Sequence, residues 1–346
     1  MPNSSSRHAT RSEEQGRKAS NRGRVEPDPP PFDPSTPGER PSAIRLEQIS
    51  KTYGAISAVD RLSFDVHQGE IFGFLGLNGA GKTTTIRVIL DLVRPTAGRA
   101  FVFGLSCHEE SLAVRARIGF LPGELGFYED MTGEATLKVL ARLNDAVVDR
   151  TRQRELLERM QLSTRDLNRK IREYSTGMKR KLGIVQAFQS DRPLIILDEP
   201  TEGLDPLMQD ALYELLLDTR RRGRTVFMSS HVLSEVERVC DRIGLLRRGE
   251  LALVSAVDDV RRMAARQVRI TFREAVTIGA AGLEGELPND CEVVDRTPLA
   301  WTLRVRGPLG PLLAAVDRHR IEDIEVREPH LEEVLKTYYQ EQAPAR

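Results

Sequence analysis

A chain of 346 residues has room for one large and one small folded unit, with a core well beyond the minimum that folding needs. Lys plus Arg and Asp plus Glu are each 51, so the formal net charge is zero and bulk electrostatics recruit neither nucleic acid nor acidic lipid. Three scattered cysteines, Cys107, Cys240 and Cys291, argue against a disulfide framework and for a reducing compartment, and the six histidines show no metal-ligand spacing.

Residues 1–42 are rich in Ser, Arg, Glu and Pro and pass through Pro27-Asp28-Pro29-Pro30-Pro31 and Pro34. Such a composition buries too little apolar surface to offset ordering entropy, so a disordered tail is expected, basic in its first part and without an assigned role. From Ile44 the pattern turns. Leu62, Phe64 and Val66 alternate as in a half-buried strand, and Ile71–Leu75 is a short apolar run of the buried-strand kind. Gly76-Leu77-Asn78-Gly79-Ala80-Gly81-Lys82-Thr83 follows at once in the G-x-x-x-x-G-K-[ST] spacing, and 84–93 reads as helix. Glycines let the backbone curl so that its N–H groups face phosphates, and the helix start adds a favourable dipole. Lys82 is placed to reach β- and γ-phosphates and Thr83 to hold magnesium. A nucleotide site lined by Gly76, Asn78, Gly79, Ala80, Gly81, Lys82, Thr83 and Thr84 is the expectation.

Residues 108–190 read as mainly helical, an insertion within an α/β core. The apolar runs 194–197 and 225–228 read as buried strands around a helix over 207–221, which implies a parallel sheet with crossover helices. Asp198 and Glu199 end the first of these runs, Asp198 placed to orient magnesium and Glu199 to polarise an attacking water. Beyond about residue 265, alternation at Val268, Ile270 and Phe272 and at Trp301, Leu303 and Val305, with helices near Leu312 and over 331–338, reads as a small α+β domain. The basic run Arg220-Arg221-Arg222 with Arg224 complements a helix C-terminus and calls for no nucleic acid. No apolar run reaches the roughly 18–20 residues of a membrane span, and no apolar secretion segment opens the chain, so a cytoplasmic protein is expected.

Tyr174-Ser175-Thr176-Gly177-Met178-Lys179 resembles the signature motif of ATP-binding-cassette (ABC) ATPases, with Thr176 where glycine is usual. Read locally, Ser175 is a good N-cap before helix formers, an anion-binding helix start. Three further segments match that family in order. Gly203-Leu204-Asp205 resembles the loop coupling two cassettes, His231 after Ser229-Ser230 resembles the switch histidine at the γ-phosphate, and Tyr53 resembles the aromatic that stacks on adenine. One departure follows 118–122: Gly123 stands where the family usually has a glutamine, so either Glu124 takes that task or the metal keeps a water there.

The resemblance spans residues 43–265 and implies a P-loop ABC cassette with a helical insertion over 108–190, followed by a small α+β unit over 266–346. It implies ATP and magnesium as cofactors, hydrolysis by Glu199 with His231, and a homodimer holding each ATP between the phosphate loop of one copy and Ser175, Thr176, Gly177 and Met178 of the other. A separate multi-span permease would dock near Leu125-Gly126-Phe127-Tyr128 and Met131, placing the chain on the inner face of the cell membrane, with no nucleic acid expected. The ending Glu328-Pro329-His330-Leu331-Glu332-Glu333-Val334 resembles the tail of multidrug and antibiotic exporters, with lipid and polysaccharide exporters as close relatives. Two other classes stay open. A soluble ATP switch in translation or DNA repair is disfavoured by the roughly 90 residues between Gly81 and Ser175, which lack sustained heptads, and by the single cassette. A nucleotide-binding regulator that barely hydrolyses is kept open by Gly123 and Thr176.

Overall fold

The structure, a computed structural model, describes residues 28–30, 32, 40–143, 148–263, 265–276, 285, 287–317 and 319–327. Strands β1 (Ser42–Tyr53) and β2 (Ile56–His67) form an antiparallel hairpin, and β3 (Ile71–Leu75) leaves it to start a second sheet. Helix α1 (Lys82–Ile89) follows the glycine loop. It stops short of the expected residue 93 because Leu90 takes the C-cap and Asp91 adopts a φ of 52°. β4 (Ala97–Val102) and β5 (Leu105–Ser106) return to the first sheet, whose order is β2-β1-β4-β5.

Helix α2 (Ser111–Ala116) leads into β6 (Ile118–Leu121), and then come helices α3 (Gly133–Leu143), α4 (Arg150–Arg159), α5 (Thr164–Leu167) and α6 (Thr176–Phe188). β7 (Leu194–Asp198), α7 (Pro206–Arg221), β8 (Thr225–Ser230), α8 (Leu233–Val239), β9 (Arg242–Arg247) and β10 (Glu250–Ala256) complete the second sheet in the order β10-β9-β3-β8-β7-β6. Five of these strands run parallel, and β3, β7 and β8 are buried along their whole length, as a sheet covered on both faces requires. The stretch expected to be mainly helical thus contributes one strand, β6, to the core sheet. Four apolar residues are too few for periodicity to separate strand from helix. Gly119 lets β6 lie hard against α6, since a Cβ there would meet Ala187 O at 2.1 Å.

Two apolar cores flank the parallel sheet. On one side Phe64 of β2 stacks on Phe72 of β3 at 5.4 Å and Phe72 on Phe227 of β8 at 5.8 Å, fastening the antiparallel sheet to the parallel one. On the other side Leu182, Val185 and Phe188 of α6 and Leu212 and Leu216 of α7 pack on Leu197 and Met228. After α9 (Val257–Met263), β11 (Arg266–Phe272), β12 (Cys291–Arg296), β13 (Ala300–Val305), α10 (Gly310–Val316) and β14 (Ile321–Arg327) form a third, wholly antiparallel sheet. Its order, β12-β13-β11-β14, is that of split βαβ folds, and Trp301, Val268, Ile270, Leu303 and Leu312 give it a core of its own.

The helix expected over 331–338 and the tail motif over 328–334 lie outside the described residues, as does most of the segment expected to be a disordered tail. Within that segment Phe32 is docked: its N–H donates to Gly223 O at 3.0 Å, and its ring fills the space that Gly69 leaves bare. No helix among the described residues is long and apolar enough to cross a membrane.

Candidate functional site

The glycine loop leaves the carboxyl end of β3 and closes on α1. Gly81 holds a φ of 112° against β2, where a Cβ would meet Ala58 O at 2.4 Å, so both the conformation and the space demand glycine. The curl brings the Lys82 ammonium back to Gly76 O at 2.5 Å. A cavity of about 220 Å³ opens under the loop, lined by Asn78, Gly79, Gly81, Lys82, Thr83 and Thr84, by Ala58 of β2 and by Glu199. Gly76 and Ala80 instead serve the frame: Gly76 accepts from Lys82, and the Ala80 carbonyl accepts from Gly249 N–H.

Two strands away, β7 delivers both carboxylates to this cavity. Asp198 Oδ2 accepts from Thr83 Oγ1 at 3.0 Å, and these two oxygens are the hard donors that magnesium prefers, so the pair fits that ion. Asp198 Oδ1 accepts from Ser229 Oγ at 2.6 Å, and Ser229 Oγ in turn accepts the Glu199 N–H at 3.0 Å. Glu199 takes a φ of 49°, uncommon for a residue with a side chain, and this turn swings its carboxylate under the loop. Glu199 Oε2 lies 2.8 Å from Nδ1 of His231, the residue just past β8. Glu199 Oε1 lies 3.1 Å from Lys82 Nζ, at ion-pair distance but off hydrogen-bond alignment, so this buried oxygen has no hydrogen-bond partner. Such an atom beside a cavity is a place for a ligand or water.

Ser175 caps α6, its Oγ accepting Met178 N–H at 3.2 Å, and Thr176 and Gly177 lie against Gly203. The structure does not bring this helix start to the loop of its own chain: among the described residues no hydrogen bond or ion pair joins Ser175, Thr176, Gly177 or Met178 to Lys82, Thr83 or Glu199. Tyr53 sits at the tip of the β1–β2 hairpin, 45% exposed, with Lys51 Nζ 5.0 Å over its ring. Gly123 lies beside the carboxylates, a Cβ there reaching within 3.3 Å of Asp198 Oδ2, whereas Glu124 is exposed and makes no hydrogen bond or ion pair among the described residues.

Two residues that position the site lie outside the motifs: Ser229, which the sequence marks only as a neighbour of His231, and Arg180, which stands in a run of basic residues after the signature. Arg180 is 5% exposed and donates to Glu202 O, Pro122 O and Gly123 O at 3.1, 3.0 and 2.8 Å. Burial draws its pKa below the ordinary guanidinium value, while Glu202, Asp198 and Glu199 pull it back.

A glycine loop at the carboxyl end of a parallel strand, faced by an Asp-Glu pair from the same sheet, defines a phosphate-loop nucleotide-binding protein. The model of the ABC transporter family matches residues 59–202. The daunorubicin resistance ATP-binding protein DrrA3 of Streptomyces coeruleorubidus is 34% identical over 301 residues, covering 85% of this chain and 95% of that protein. The bacitracin transport ATP-binding protein BcrA of Bacillus licheniformis is 38% identical over 209 residues, 60% of this chain and 68% of that one. A solved ATP-binding subunit of an ABC transporter superposes with a TM-score of 0.59 at 32% identity, covering 64% of this chain and 92% of the other. The chain belongs to the ABC transporter family, among its ATP-binding proteins, and its relatives include drug- and antibiotic-resistance proteins as the tail resemblance implied.

Proposed function

We propose that this chain is the ATP-hydrolysing motor of an exporter for drugs or antibiotics, with residues 43–265 as the cassette and 266–346 as a separate unit. The observation that carries the proposal is Glu199: one carboxylate oxygen at ion-pair distance from Lys82 without a hydrogen-bond partner among the described residues, the other held by His231, beside the cavity of a loop that can cradle phosphates. The loop N–H groups and Lys82 bind the β- and γ-phosphates, and Tyr53 offers a ring to the base. Thr83 and Asp198 would hold magnesium, which when bound neutralises charge on the transferred phosphoryl group. Glu199 orients the attacking water and accepts its proton, with His231 fixing the carboxylate.

The unused start of α6 supports a homodimer in which Ser175, Thr176, Gly177 and Met178 of a second copy close over each ATP. Docking of a separate permease is supported by a cavity of about 310 Å³ lined chiefly by Leu90, Leu92, Phe120, Leu125, Phe127 and Leu140. Tyr128 next to it is 78% exposed, and Met131, also expected there, is not in its lining. Such a complex would sit on the inner face of the cell membrane.

The regulator reading keeps one supporting observation, that Gly123 puts no side chain on the metal position. The test is Mg-ATPase activity of the purified chain and of Glu199→Gln, followed by affinity capture of tagged Glu199→Gln from membranes of its native host. Loss of activity in the variant and recovery of a multi-span protein, abolished by charged residues at Phe127 and Tyr128, support the motor. An ATPase rate unchanged in Glu199→Gln, or capture of ribosomes or repair proteins instead, overturns it.

A further inference from the structure

Arg180 sits one turn into α6, its side chain 6% exposed, between two loops that leave different strands. The nearest carboxylate, Glu202 Oε2, is 3.5 Å away on a side chain that is 68% exposed, so the buried charge is solvated mainly by three carbonyl oxygens. Charge-assisted bonds of this kind are about twice as strong as neutral ones, and the planar guanidinium fixes their mutual directions. Carbonyls held in this way fix the backbone of both loops relative to α6.

The two loops have different neighbours. One is the turn after Glu199, closed by Glu202 N–H to Glu199 O at 3.3 Å and Leu204 N–H to Thr201 O at 3.0 Å. The other runs from Pro122 and Gly123 into Leu125 and Phe127, which line the apolar groove. Among the described residues, no side chain of 122–127 makes a hydrogen bond to Asp198, Glu199, Lys82 or Thr83. A hydrogen-bonded link between the carboxylates and the groove therefore runs through backbone, beside the apolar packing of Leu125 and Phe127, and Arg180 bonds the backbone on both sides.

We propose that Arg180 is a positioning residue that couples the turn after Glu199 to the Leu125–Phe127 groove, so that nucleotide occupancy is felt where a partner would dock. This rests on the motor reading given above. A displacement of the Glu202 carbonyl when the Glu199 side chain engages nucleotide pulls on one edge of the guanidinium. Because the guanidinium is rigid, Gly123 O on its Nη2, and the groove residues after it, move with Glu202 O on its Nε. A lysine, with one compact ammonium, cannot hold the three carbonyls in fixed mutual directions.

The experiment uses the full chain carrying Glu199→Gln, Cys291→Ser and Tyr128→Cys, labelled at 128 with an environment-sensitive fluorophore; Cys107 and Cys240 are buried. Emission is read with and without Mg-ATP, and ATP affinity is measured separately on the same samples with a fluorescent ATP analogue. Mg-ATP is expected to shift the emission of this parent. Arg180→Lys and Arg180→Met are expected to bind ATP within about threefold of the parent while losing at least about fivefold of the emission shift. A residue with a merely structural role would lower affinity and thermal midpoint together, without removing the shift selectively. A full shift in Arg180→Lys overturns the proposal, and that variant decides the matter even where Arg180→Met does not fold. A parent that binds ATP without any shift also overturns it and leaves the motor reading intact, whereas a parent that binds no ATP overturns the motor reading itself.

Discussion

Ser229 donates its hydroxyl proton to Asp198 Oδ1 across 2.6 Å, and the two residues are direct partners in the β7–β8 ladder. Ser229 Oγ in turn accepts the Glu199 N–H, so one serine stabilises both the aspartate rotamer and the left-handed turn that aims the glutamate. Ser229→Ala removes both bonds, each worth about 1 kcal/mol net. The expected outcome is a fall in kcat of roughly tenfold or more with KM for ATP changed much less, measured by steady-state phosphate release.

Glu199→Gln keeps the shape of the side chain and removes its basicity. Hydrolysis should drop by about 10²-fold or more while ATP binding is retained, and His231→Ala should follow in the same direction because Nδ1 fixes Glu199 Oε2. Equilibrium binding of a fluorescent nucleotide alongside turnover separates the two effects.

What the sequence exposed and what it hid divide along a physical line. The phosphate loop was legible because its chemistry is contiguous: its three glycines, lysine and threonine all fall within eight successive positions, 76–83, between an apolar strand and a helix. Ser175 was legible for the same reason, as a cap three residues before the N–H it accepts. Ser229 was not, because its partner Asp198 is 31 residues away and only the strand register brings them together. The turn at Glu199 was hidden because no glycine marks its positive φ. Arg180 was hidden because its partners are backbone oxygens, which leave no trace in side-chain identity.

Gly119→Ala should be among the most damaging small substitutions in the cassette. The added methyl would stand 2.1 Å from Ala187 O, a backbone atom that cannot rotate away, and overpacking of this sort costs about 1–3 kcal/mol or more. Gly126→Ala, with nothing within 4 Å of its Cβ position, should leave stability within about 0.5 kcal/mol. Denaturant unfolding of the two variants side by side makes the comparison.

Acid stability should depend on Asp218. The hydrogen bond from Arg221 lowers its carboxyl pKa below the ordinary range, burial opposes this, and Arg159, reaching across from α4 to α7, lowers it further. A carboxylate whose pKa is lower folded than unfolded contributes stability above the unfolded pKa and loses it as pH falls through the folded one. The stability gap between the native chain and Asp218→Asn should therefore be constant near neutrality and close below about pH 4. A gap that stays open in strong acid would show that the two arginines do not act through this charge.

Among the described residues, no hydrogen bond or ion pair joins the capped start of α6 to the phosphate loop of its own chain. On the reading proposed above, a single copy holds two halves of different sites and completes neither. Turnover per molecule would then rise with protein concentration and fade on dilution, even with ATP saturating, because assembly of two copies precedes every hydrolytic event. In a cell the abundance of the chain, and any partner that holds two copies side by side, would set its working rate as directly as the supply of nucleotide.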